Sequence, residues 1–500
     1  MRTATFLALC TFAPIIARAQ TNSAAPVAVV PPIPTVSPAP QTSLSLEDSI
    51  RIALKNHCDI GAAEQSFLSA QQGITSARAA RLPQVSGDIG TNYNNSNSRQ
   101  ITSSNNNFST SRNSFVTTTG ISVSQNLFDG GRTRAQIQSA QARALGAVGG
   151  VGSARSNLAY EVARNFYEQL RQEKLVAQRE NQVALARQQL AQIQAQIEAG
   201  TAARVDSQSV QVNLSQARFD LATALNDARI ASTNFRNSIG VPRGAPFKLQ
   251  ESAQAFETSP IDSSIANSAS PIPLAAPIAA PIVPQLEPLE TLLLHARNLR
   301  PDLLQGKANV QSGEAALALA KIQQRPQISA TAGYNIDPRS VADRGFQIGA
   351  GVSIPIFDAG GRKADTRAAT ADLEASKIRL AQLQRDADAD VEAAYVDIRG
   401  NVDRIANARE LVAAAQTNLA TAVEKYRAGL GIVLDIVNAQ TQLFAAQTSA
   451  TQAVYDYELA RANLDRAVGR FAFSNPGAAV PASAPQNVKN LPAVIQTSAK

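Results

Sequence analysis

The chain carries two histidines, His57 and His295, and two cysteines, Cys10 and Cys58, and these form neither a metal-ligand cluster nor a spaced Cys/His pair. No nucleophile–base set and no pair of converging carboxylates can be assembled from the sequence. No catalytic, cofactor-binding or metal residues are therefore assigned, and an enzyme is not expected. Isolated Asp and Glu residues in the helical stretches read as solvated faces. What recurs is an acid followed by glycines. "VSQNLFDGGRTRA" begins at Val123 and "VSIPIFDAGGRKA" at Val352. The chemistry available to Phe128, Asp129, Gly130 and Gly131, and to Phe357, Asp358, Gly360 and Gly361, is structural. An Asp side chain caps a helix start. A glycine pair lets a strand pass into a helix without a loop, through backbone angles closed to other residues. The phenylalanines stand where an aromatic girdle would meet a membrane interface. One such motif is an ordinary turn; two at matching places of a repeat make a junction.

The elements that must position these junctions follow from the repeat. Leu46, Ala53, Asp59 and Pro83 match Leu289, Ala296, Asp302 and Pro326 at an offset of 243, while Gly200, Asp206, Leu214 and Gly240 match Gly429, Asp435, Leu443 and Gly469 at 229. The first copy thus holds 14 extra residues, which fall in the polar Asn/Ser-rich stretch 92–114, expected to be an extracellular loop. The reading divides the chain into 1–19, 20–43, 44–240, 241–287, 288–469 and 470–500. The repeats are 44–240 and 288–469, the segments 20–43 and 241–287 are Pro/Ala-rich, and 470–500 is a flexible tail.

Each repeat reads the same way. A helical segment, 44–82 or 288–325, closes at Pro. Two alternating segments of about ten residues follow, with Val85, Ile89 and Tyr93 on one face and, in the second copy, Ile328 to Ile336 and Phe346 to Ile356 alternating. The junction then opens a helix over 131–199 or 361–428. At ~1.5 Å per residue it would be roughly 100 Å long. A return helix ends at Gly240 or Gly469, its apolar residues (Leu214, Ala217, Leu221, Ala224, Leu225) recurring at three and four. The two shorter helical segments of a repeat could stack end to end along the long one. Four strands cannot close a barrel, so several chains must contribute strands to one.

Composition agrees. Trp is absent, aromatics are 5% and charged residues 17%, which suits helices packed through small side chains. A net charge of +7 with no basic block gives no basis for a nucleic-acid partner. Arg2, the apolar run Thr3–Ile16 and Ala17-Arg18-Ala19 read as a signal peptide cut after Ala19. Cys10 follows Leu9 and comes too early to be lipidated.

The junction motifs, "RPDL" from Arg300, "RLPQVS" and "QRPQIS", and the tips "EAGTAARVDSQSVQ" and "RAGLGIVLDIVNAQ" are similar to the TolC family of outer-membrane efflux proteins. The resemblance implies a mainly α protomer with a small β part, a tandem repeat of long antiparallel helices plus four strands. It implies a homotrimer in which twelve strands form one outer-membrane β-barrel, continuous with a twelve-helix periplasmic tunnel. It implies outer-membrane lipid around the barrel and docking to a periplasmic adaptor (membrane fusion) protein and an inner-membrane transporter. The chain is then a passive exit duct of a tripartite efflux or type I secretion system, without cofactors. The resemblance points to Tyr426 as a gate tyrosine with Asp206 as its acceptor, and to Asp435 as part of an acidic constriction ring. The family's second acidic position is Asn438, and the arginine of its tip link falls on Gly431, with Arg204 or Arg427 as substitutes. Gly200 and Gly429 mark the tip turns. Asp206 and Asp435 also stand near helix starts, where capping alone favours Asp. The competing reading is a non-channel periplasmic or surface coiled-coil structural or adaptor protein, which would carry one hairpin flanked by small β domains.

Overall fold

The structure, a computed structural model, describes residues 42–95, 113–201, 203–242, 247–250, 286–336 and 344–472. The expected signal peptide, most of the 92–114 loop, most of the Pro-rich linker and the tail beyond residue 472 lie outside the described residues.

The two halves of the described chain run through the same order of elements. In the first copy a short strand β1 (Thr42–Leu44) leads to α1 (Leu46–Asn56), α2 (Cys58–Ala79), β2 (Gln84–Asn95), β3 (Asn113–Phe128), α3 (Arg132–Glu198) and α4 (Arg204–Ser238). After β4 (Phe247–Leu249) the second copy runs through α5 (Leu289–Leu299), α6 (Pro301–Ile322), β5 (Gln327–Ile336), β6 (Arg344–Ser353), α7 (Gly361–Arg427) and α8 (Val433–Val468). Both long helices have 67 residues.

The first helical segment of each repeat, expected to be continuous, is broken. His57 and Arg300 are extended, with φ/ψ of −76°/133° and −65°/122°, and each ends one helix and begins the next. At Arg300 the cause is Pro301, whose ring disfavours the helical conformation of the residue before it. At His57 no proline follows; the imidazole Nδ1 accepts from the Asp59 N–H at 3.4 Å instead.

The two short helices and the return helix do stack along the long one. Ile74 of α2 packs on Ala140 and Ala144 near the start of α3, and Leu214 and Ala217 of α4 pack on Val183 and Ala186 farther along. Between them a cluster built on Phe166, Phe235, Ala53 and Ile239 fills the middle. Leu44 and Leu249 join that cluster because β1 and β4 pair in parallel beside it. This pair ties the N-terminal segment to the start of the linker, where no strand is expected from sequence. Leu225 remains exposed, unlike its neighbours in the periodic stripe.

The four long strands form one antiparallel sheet in the order β2-β3-β5-β6. Its register puts Val85 opposite Val123, Ile121 opposite Tyr334, and Tyr334 opposite Phe346, so one face is apolar. Ser86 and Ser122, joined through their hydroxyls at 2.8 Å, belong to the other, polar face. A bulge between Asn126 and Phe128 moves Phe128 opposite Ile328, onto the apolar side. Among the described residues β2 and β6 have no further strand partner and form open edges. β6 stops at Ser353 although the alternation continues to Ile356, because β5 begins at Gln327 and offers Ile354 and Ile356 no partner. No helix among the described residues is long and apolar enough to cross a membrane.

Candidate functional site

Two places carry the residues singled out by sequence: the strand-to-helix junctions and the helical tips at the opposite end.

At the first junction Asp129 accepts from the backbone N–H of Gly131 at 2.9 Å and of Thr133 at 2.7 Å, and from the Thr133 hydroxyl. Asp358 does the same at the second, accepting from Gly360 N–H at 3.2 Å and Arg362 N–H at 2.8 Å. Both carboxylates thus satisfy N–H groups that a helix start leaves orphaned. The glycines need one correction. The left-handed pair of the first copy is Gly130 (φ 63°) and Gly131 (φ 100°); that of the second is Ala359 (φ 52°) and Gly360 (φ 89°). Gly361 is already the first residue of α7, so its role is that of a helix residue. The two motifs have the same length: at the 229 offset Ala359 stands where the first copy has Gly130, and Gly361 where it has Arg132. Gly130 is also held from the turn between α6 and β5, since Arg325 Nη1 donates to its carbonyl at 2.9 Å and a Cβ there would lie 2.8 Å from the Arg325 Cβ.

At the tips, α3 and α7 each end in a left-handed glycine, Gly200 at φ 74° and Gly429 at φ 73°. The Thr201 N–H reaches Gln196 O and the Leu430 N–H reaches Lys425 O, both at 2.8 Å, closing the last turns in the usual C-terminal manner. The return helices open with Asp206 and Asp435 in equivalent places. Asp206 Oδ2 accepts from the Ala203 N–H at 3.3 Å and Asp435 Oδ2 from the Ile432 N–H at 3.2 Å. Both acids therefore cap their own helices. Asp435 and Asn438 are exposed, one turn apart on α8.

Tyr426 is half-buried between the two hairpins. Its ring packs against Ile193, Val210, Val433 and Val437. Its hydroxyl donates to Gln196 Oε1 at 2.9 Å, so the acceptor is Gln196 and not Asp206. Burial, and secondarily the negative charge of Asp206, push the phenol above its ordinary pKa and keep it a donor. Gln196 carries no sequence signal: its counterpart in the second repeat is Lys425, and glutamines are common along α3. Arg427 is engaged by Glu424 on its own helix at 2.9 Å. Gly431 is crowded, with a Cβ there 3.2 Å from both Lys425 Cβ and Tyr426 N. A longer residue at 431 requires the turn to shift.

Halfway along the helices a polar seam joins α3 to α8. The Tyr167 hydroxyl donates to Glu458 Oε2 at 3.2 Å, Gln178 Nε2 donates to Thr451 Oγ1 at 2.7 Å, and Arg171 lies 3.5 Å from Asp456. Beside it Arg300 of the "RPDL" stretch pairs with Asp302 at 2.6 Å and with Asp390 of α7 at 3.0 Å. Sequence reading singled out none of these pairings.

A family model described as "Outer membrane efflux protein" matches residues 49–241 and 292–470. The chain is 24% identical over 434 residues to the outer membrane efflux protein BepC of Brucella suis, covering 86% of each chain. It is 23% identical to the outer membrane protein TolC of Vibrio cholerae, covering 80% of this chain and 85% of that one. Among solved structures, CusC matches with a TM-score of 0.69 at 18% identity, covering 86% of this chain and 92% of that one. The open-state outer membrane channel MtrE of Neisseria gonorrhoeae matches with a TM-score of 0.65 at 17% identity, covering 85% of this chain and 88% of that one.

Proposed function

The chain belongs to the outer membrane efflux protein family, and from that premise we propose that three copies assemble into one duct, gated at the helical tips. As a family member it is an outer-membrane exit duct for efflux.

One observation carries it: a four-stranded sheet with two open edges, one apolar face and one polar face, running directly into helices of 67 residues. Alone in lipid, such a sheet leaves the edges of β2 and β6 without hydrogen-bond partners. Joining β6 of one copy to β2 of the next satisfies both edges, and three copies supply twelve strands. Twelve strands ~4.8 Å apart and tilted by about 40° give a backbone circle roughly 24 Å across. The apolar face then meets lipid and the polar face water.

The helices continue the wall as a tunnel. Asp435 and Asn438 stand at its far end, where three copies of the acid concentrate negative potential and favour cations at the entrance. Tyr426 holds the two hairpin tips of one protomer together, and Asp206 acts on it through charge. The duct contains no catalytic step and needs no cofactor. Its driving force comes from an inner-membrane transporter, coupled through a periplasmic adaptor protein, as the family resemblance implies.

The test is the purified protein in mild detergent and in a planar bilayer. A trimer mass with single-channel conductance supports the reading. A monomer without conductance overturns it in favour of a non-channel coiled-coil protein.

A further inference from the structure

Within the strands of the sheet, Gln84–Asn95, Asn113–Phe128, Gln327–Ile336 and Arg344–Ser353, only two residues are charged: Asp88 and Arg344. Arg344 stands at the end of β6 remote from the helices, opposite Ile336. Asp88 lies within β2, five residues from the α2 side. Its neighbours in register show which face it shares. Val85, Ile89 and Tyr93 make up the apolar row of β2, so Asp88 alternates onto the face that holds Ser86 and Ser122. Across the sheet its row continues through Gly120, Asn335 and Gly345. None of these is charged, and two have no side chain. Asp88 is exposed and has neither a hydrogen bond nor an ion pair among the described residues.

A carboxylate in the middle of a strand that no described residue pairs or covers calls for explanation. It adds nothing to the fold, and on the lipid side it would be costly. We propose that Asp88 is a selectivity-determining residue of the duct, its three copies forming an acidic belt on the water-filled inside of the barrel. This rests on the trimeric-barrel reading above. It is separate from the tips, because Asp88 and Asp435 stand at opposite ends of the long helices. No basic residue on the polar face of the described strands offsets the belt. The belt therefore raises the local concentration of cations and lowers that of anions. The range of the effect is set by screening. The Debye length is about 10 Å at 0.1 M salt, close to the ~12 Å radius of the barrel, and about 3 Å at 1 M. The belt acts on the whole lumen in dilute salt and only on its wall in concentrated salt.

The experiment compares reversal potentials in KCl gradients for the parent, Asp88→Asn and Asp88→Lys, each confirmed as a trimer on a non-denaturing gel. In the range of 0.1 M, Asp88→Asn is expected to lower the cation-to-anion permeability ratio by roughly twofold or more, and Asp88→Lys to lower it further. Near 1 M the three proteins converge. Asp88→Ser, which matches the residues around it, replaces the Asn variant if that one does not assemble. If the parent conducts and both the neutral and the Lys variants keep its permeability ratio in dilute salt, the Asp88 assignment is wrong while the duct stands. If the parent does not conduct at all, the duct reading itself has failed.

Discussion

The hydroxyl of Tyr426, on the last turn of α7, donates to Gln196 Oε1, on the last turn of α3, at 2.9 Å. The ends of the two long helices, 230 residues apart in sequence, are thereby tied within one protomer. If the gate works by moving one hairpin tip from the other, this bond opposes opening. A hydrogen bond is worth about 1 kcal/mol net, or roughly a fivefold change in a closed-to-open ratio. Tyr426→Phe and Gln196→Ala should each raise resting conductance by about that factor, and the double variant should rise no further than either single one. Additive effects in single-channel recordings would show that the two residues act independently.

The junctions predict an asymmetry between the repeats. Gly130→Ala places a methyl group 2.8 Å from the Arg325 Cβ at a left-handed position, and should weaken the assembled protein. Ala359→Gly removes the Cβ from a residue already at φ 52° and should stabilise it by about 1 kcal/mol. Heat-induced dissociation followed on gels measures both. Equal destabilisation by the two changes would contradict this account.

Repeat equivalence predicts a contact between protomers. Within one chain a Cβ at Gly149 of α3 would lie 2.7 Å from Pro301 O of α6. The counterparts are Ile378 of α7, exposed at 66%, and Cys58 of α2, also exposed. In a ring of alternating repeats, Ile378 of one copy meets Cys58 of the next. Ile378→Cys treated with a short bismaleimide should yield covalent dimers and trimers on denaturing gels, and the parent only monomers. Monomers from both would remove the pseudo-sixfold arrangement.

The seam predicts a pH dependence. Burial raises the Glu458 carboxyl above its ordinary pKa, partly offset by Arg461 and by the Tyr167 hydrogen bond. A carboxyl raised in the folded state contributes stability that is present below its unfolded pKa, near 4.5, and is lost as pH climbs through the folded value. Glu458→Gln keeps an acceptor for Tyr167 without the buried charge. It should therefore raise the melting temperature at pH 7 and leave it unchanged below about pH 4. A loss at pH 7 that disappears below about pH 4 would mean that the ionised carboxylate itself holds α3 to α8.

The two copies, their offsets of 243 and 229, the strand faces and the long helices could be read directly from the sequence. These features are local or periodic. Alternation marks a sheet with two different faces, spacing by three and four marks a helix with one buried side, and a repeated Asp-Gly junction marks where one becomes the other. Asp129 and Asp358 cap as their positions require, because a cap involves only residues within four of it.

Tertiary structure decided everything that depends on which long helix lies beside which, and in what register. Tyr426 finds Gln196 and Tyr167 finds Glu458 across 230 and 291 residues, and in helices rich in Gln, Glu and Arg many other pairings satisfy the same chemistry. The parallel pair of β1 and β4 is equally invisible, since three residues carry no period. So is the break at His57, which lacks the proline that announces the one at Arg300. Ala359 occupies a left-handed turn although Gly360-Gly361 stands next to it, because the end of β6 and the start of α7 set the turn's position and the glycines do not. Local rules determine what a segment becomes; the close packing of helices 67 residues long selects, from many near-equivalent polar contacts, the few that form.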